Sequence, residues 1–114
     1  TFILRDGRVH VEHILPQNPR AVTLQESNLT KDEALELVNK IGNLTLLCGK
    51  RNRHISNKAF SEKINIYSES EILMTRKLSE FDSWDRDKIN ARSLNISNIA
   101  KNIFPHPKEI ISIK

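Results

Sequence analysis

The first regular pattern along the chain is RVHVEHI at residues 8–14, where valines alternate with polar residues in the two-residue period of a strand. Pro16, Asn18 and Pro19 end that strand and open an excursion. The clearest helical stripe follows at 31–41, where Ala34, Leu37, Val38 and Ile41 fall at i, i+3, i+4 and i+7. Thr30 and Glu33 have the spacing of a capping box, and Gly42 suits a left-handed residue just past the helix. The apolar run NLTLLCG at 43–49 predicts a second, buried strand. KRNRHISNKAF then turns abruptly basic and polar, after which Phe60, Ile64 and Tyr67 mark another helix face. Ser68 and Glu71 predict a second capping box before a helix bearing Met74, Leu78 and Phe81. A last helix is expected from near Ser83, with Trp84, Ile89, Ile96, Ile99, Ala100 and Ile103, until Pro105 and Pro107 stop it. The expected fold class is α+β, two strands set among four or five helices, with no internal repeat.

Composition narrows the class without naming a function. The 114 residues, 38% hydrophobic and 28% charged, suit one domain that buries a modest core. No apolar run approaches the roughly 20 residues of a membrane span, so no membrane partner is expected. The single cysteine, Cys48, excludes an internal disulfide and a multi-cysteine zinc ribbon, which fits a cytoplasmic setting. A net charge of +4 and a pI of about 9.4 favour an anionic partner such as nucleic acid. The chain opens on Thr1 rather than methionine and shows no leader, so residues 1–114 are expected to be one domain, the C-terminal part of a longer protein.

Most singled-out residues have an ordinary structural reading. The apolar helix faces are core, Cys48 is a buried strand thiol, and Trp84 anchors a core. His106, between two prolines, is expected to be exposed, while His54 stays open between a surface residue and a phosphate contact.

A few polar residues do not fit that reading. Glu12 and His13 end the first strand, Asn43 opens the second, and Asn52 lies beyond it. Phosphodiester hydrolysis needs a base to take a proton from water, and histidine titrates near neutral pH. It also needs a divalent cation to neutralise phosphate charge, held by hard oxygen ligands such as carboxylates and amide carbonyls. His13, Glu12 and Asn52 are the residue types for these roles.

VEHILPQ is similar to the acid-His-Ile-x-Pro segment of HNH endonucleases, and GNLTLLCGKRNRHISN resembles their second half. The asparagine-led strand there runs to a metal-ligand position nine residues on, here Asn52. More narrowly, EHILPQNP together with GNLTLLCGKRNRHISNKAFSEKINIYSES resembles the C-terminal nuclease domain of GmrSD-type modification-dependent restriction enzymes. The run from Ser56 to Tyr67 matches that group's SNKxFxxKxxxY, and Trp84, Ile89 and Arg92 match its C-terminal helix. The likeness spans residues 9–104.

The resemblance implies a ββα-metal core embellished by further helices, and a metal-dependent DNA endonuclease acting in a bacterial antiphage restriction system. It implies His13 as general base, with Asn43 tying down the inter-strand loop so that His13 is oriented. Glu12 and Asn52 would hold one divalent cation, Mg2+ or Mn2+, and Asn57 would orient phosphate or assist the metal. His10 either lines the site or is a plain strand histidine. Glu12 carries its carboxylate one methylene further out than aspartate, and the excursion lacks a tryptophan common in the group. Lys50, Arg51, Arg53, Lys58 and Lys63 form a basic run around Asn52, read as a backbone-binding face for duplex DNA. An N-terminal nucleotide-hydrolysing sensor domain is expected outside this chain. The competing readings are a non-catalytic DNA-docking module and an RNA-cleaving HNH toxin.

Overall fold

A computed structural model of the chain describes residues 9–48 and 57–103. Strand β1 runs Val9–His13 and strand β2 Leu44–Cys48, paired antiparallel with Glu12 opposite Thr45 and His13 opposite Leu44. Five α-helices lie among the described residues: α1 Ala21–Ser27, α2 Lys31–Leu37, α3 Phe60–Ser68, α4 Leu73–Arg76 and α5 Arg86–Ile103. The class is α+β as expected, and β1, β2 and the following α3 form its ββα core. No helix among the described residues is long and apolar enough to cross a membrane.

Helix α2 begins as the sequence dictates. The Thr30 amide donates to Glu33 Oε1 at 2.9 Å and the Glu33 amide to Thr30 Oγ1 at 3.2 Å, a complete capping box. It ends sooner than the stripe predicts, because residues 41–43 tighten into a 3-10 turn that leaves Ile41 exposed. Gly42 therefore does not serve as a left-handed cap. A Cβ there would lie 2.1 Å from the Ile89 carbonyl oxygen, so its reason is close packing of the turn on α5.

Three other expectations are corrected. Helix α1 lies in the excursion that the sequence left unassigned; its buried positions are Thr23 and Ser27, which make no apolar stripe. Ser68 does not cap α4 but ends α3, donating to the Asn65 carbonyl at 2.7 Å, while the Ile72 amide takes Ser70 Oγ at 3.1 Å. Helix α5 starts after Trp84, with Asp85 Oδ1 accepting from the Lys88 amide at 3.1 Å. Of its expected apolar face only Ile89 is buried, and Ile99 and Ile103 stand exposed.

The core gathers Ile14, Leu15, Leu37, Val38, Leu47, Phe60, Tyr67, Leu78, Trp84 and Ile89. Trp84 is its hub: Phe60 stacks on it with ring centroids 5.6 Å apart and Phe81 meets it edge-on at 5.5 Å. Cys48 is half-buried at the end of β2 rather than enclosed. His106, Pro105 and Pro107 fall outside the described residues.

Candidate active site

The end of β1 puts consecutive side chains on opposite faces of the strand. Glu12 points inward, 6% exposed, and His13 outward, half-buried. Both line one polar pocket of about 230 Å³ with Val11, Gln17, Asn18 and Asn57. Gln17 and Asn18 enter because Ile14, Leu15 and Pro16, all buried, fold the chain back over the strand end. Asn57 enters from the approach to α3, where Arg20 Nε donates to its carbonyl at 3.1 Å and the same guanidinium pairs with Glu62. Ser61 Oγ donates to Glu26 of α1 at 2.5 Å, so the unforeseen helix braces that wall.

Glu12 is held from inside. Lys63 Nζ approaches its Oε2 at 2.9 Å and the Tyr67 hydroxyl donates to the same oxygen at 2.8 Å. The Lys63 ammonium also donates to the carbonyls of His13 at 2.9 Å and Ile14 at 3.2 Å, which uses all three of its protons. Lys63 thus leaves the basic run in which the sequence placed it: it is fully buried and faces no DNA. Burial depresses its pKa and the Glu12 charge opposes that shift. Burial, reinforced by the Glu12 carboxylate, raises the Tyr67 phenol well above its ordinary value, so it stays a proton donor. Glu12 Oε1 meets no donor among the described residues.

His13 Nε2 lies 3.2 Å from Asn39 Oδ1. Sequence reasoning passed over Asn39, a polar residue in the turn after α2 with no distinguishing pattern. With the proton assigned to Nε2, the ring's lone pair sits on Nδ1.

Asn43 is completely enclosed, with every side-chain valence used. Its Oδ1 accepts from the Leu15 amide at 2.8 Å and Trp84 Nε1 at 3.0 Å; its Nδ2 donates to the carbonyls of Leu15 at 3.0 Å and Val38 at 2.9 Å. The Ile14 amide adds a bond to the Asn43 carbonyl at 2.9 Å, extending the pairing past the strand end. Arg92 Nη1 donates on either side, to Gly42 at 2.9 Å and Leu44 at 2.7 Å. Burial lowers the Arg92 pKa, and its Nη2 is enclosed without a partner among the described residues.

His10 sits on the same face of β1 as Glu12, opposite Leu47, half-buried and outside the pocket lining. Its Nε2 is enclosed and has no partner among the described residues. Lys58 is exposed beside Asn57. Asn52, Lys50, Arg51, Arg53 and His54 lie outside the described residues.

The donor set tests the expected cofactor. No group of three or more His, Cys, Asp or Glu that could hold a metal occurs among the described residues. The pocket instead offers one carboxylate whose Oε1 meets no donor among the described residues, and the amide side chains of Gln17, Asn18 and Asn57, hard oxygen donors that fit Mg2+ or Mn2+ better than zinc.

Searches of curated proteins and of solved structures return no match. The family model described as GmrSD restriction endonucleases, C-terminal domain, matches residues 2–99. Its span takes in both strands, the pocket, helix α3 with Lys63 and Tyr67, Trp84, and the part of α5 that carries Arg92. The chain belongs to the family of C-terminal domains of GmrSD restriction endonucleases.

Proposed function

We propose that this chain is a metal-dependent DNA endonuclease domain, the cleavage module of a bacterial antiphage restriction system. The observation that carries the reading is the shared pocket of Glu12 and His13, one offering an uncommitted carboxylate oxygen and the other an imidazole. Family membership supports nuclease action and a DNA substrate. The description of the family as a C-terminal domain supports reading the chain as one nuclease domain that follows a further, N-terminal domain; in this reading that partner is a nucleotide-hydrolysing sensor.

In this reading Glu12 and Asn52 would hold one divalent cation, which would supply neutralisation of charge on the scissile phosphate and the leaving oxygen. His13 takes the proton of the attacking water on Nδ1, while Asn39 fixes the ring through Nε2. Asn43 touches no substrate: its valences are spent on the protein, and it positions the turn from which His13 projects. Asn57 is on the pocket wall, where its side chain can reach a phosphate oxygen. Lys50, Arg51, Arg53 and Lys58 attract the duplex through its backbone and read little sequence.

The test is nicking of supercoiled plasmid with Mg2+ or Mn2+, comparing the purified protein with His13→Ala. Loss of about 10²–10⁴-fold in rate is expected for removal of a general base. Equal nicking by both proteins sinks the catalytic reading. Duplex binding without cleavage by either would instead point to a docking module, and RNA cleavage in preference to DNA to a toxin.

A further inference from the structure

Helix α3 buries a lysine and a tyrosine four residues apart on one face, and both end on one oxygen of Glu12. Lys63 and Tyr67 are each completely enclosed. Stability alone is a poor reason for this arrangement, because a buried ion pair roughly breaks even against apolar residues of similar volume. What two donors on one oxygen do supply is orientation. The terminal torsion of a glutamate is broad, so an unrestrained carboxylate turns either oxygen, or both, toward a ligand.

We propose that Lys63 and Tyr67 are positioning residues that make Glu12 a one-oxygen ligand and thereby set which cation the site takes. Oε2 is committed to the interior, and Oε1 is the oxygen left for the pocket. Lys63 also holds the His13 and Ile14 carbonyls, so the same nitrogen ties the ligand to the backbone that carries the base. A cation that accepts octahedral coordination with single carboxylate oxygens, Mg2+ or Mn2+, matches this presentation. Ca2+ takes more ligands and readily uses both oxygens of a glutamate, and gains less from it. The inference rests on the reading of Glu12 as a metal ligand.

Calorimetric titration of the purified protein with Mn2+ and separately with Ca2+ tests it without any measurement of cleavage. Tyr67→Phe removes one donor and keeps the ring. Its Mn2+ affinity is expected to fall about tenfold, the effect typical of a lost partner behind a metal ligand, and the preference for Mn2+ over Ca2+ to shrink. Wild-type Mn2+ affinity and preference in folded Tyr67→Phe overturn the proposal. Lys63→Met, if it folds, is expected to weaken Mn2+ binding in the same direction; if it does not fold, Tyr67→Phe decides alone. Glu12→Gln separates the two levels of the argument. Wild-type Mn2+ binding by Glu12→Gln overturns the ligand reading itself, whereas loss there with normal binding by Tyr67→Phe overturns only the clamp.

Discussion

Trp84 donates its indole proton to Asn43 across 41 positions of sequence, at 3.0 Å and out of contact with solvent. This bond joins the largest side chain of the core to the amide that fixes the turn behind His13. Packing and site geometry therefore fail together, and substitutions there should be read by stability before activity.

Asn43→Ala is expected to destabilise by about 3 kcal/mol or more, since it strands the Leu15 amide, the Trp84 indole and two carbonyls in the interior. Denaturant unfolding measures this. A variant that keeps wild-type stability yet loses nicking would show that Asn43 acts on substrate after all.

Gly42→Ala should lower stability by about 2 kcal/mol or more, because the Ile89 carbonyl belongs to the helix backbone and cannot move aside. An unchanged melting temperature would mean that the turn and α5 do not stay in this contact in solution.

Arg92→Lys preserves charge but not the guanidinium that bridges the carbonyls of Gly42 and Leu44. A loss of about 1–2 kcal/mol is expected in thermal or denaturant unfolding. Full stability in the lysine variant would reduce Arg92 to a packing residue.

Asn39→Ala should slow nicking roughly tenfold, less than His13→Ala, with little change in melting temperature, since in the proposed mechanism it orients the base but does not take the proton. If the two variants are equally impaired, Asn39 has a more direct role than the geometry assigns.

Acid should weaken the fold through Glu33 and Glu62. The Thr30 amide holds the first carboxyl below its ordinary value, and the Ala59 amide the second. A carboxyl depressed in the folded state contributes above its unfolded value, and that contribution disappears as pH falls through the folded one. Glu33→Gln with Glu62→Gln is expected to flatten the fall of melting temperature in acid. The two groups are exposed, so the change is small, and an unaltered acid slope would contradict it.

The sequence displayed what is local. The alternation of 8–14 located β1, and Thr30 with Glu33 announced α2, because strand period and capping act within a few residues. Helix α1 was illegible since hydroxyl-bearing Thr23 and Ser27 take the inward positions. Lys63 was misread for a different reason: a lysine in a basic run has a charge but not a partner until Glu12, far earlier in the chain, is folded against it. The motif Trp84, Ile89, Arg92 marked family membership, but its purpose, enclosing Asn43 and its neighbours, exists only in three dimensions.

The order in which these residues leave the ribosome has a consequence. Glu12, His13 and Asn43 emerge first, while Tyr67, Trp84 and Arg92, which hold them in place, come later. A half-made chain carries the chemical groups without their frame. The frame of the proposed site is thus complete only once Arg92 of α5 has been translated, late in the synthesis of the domain.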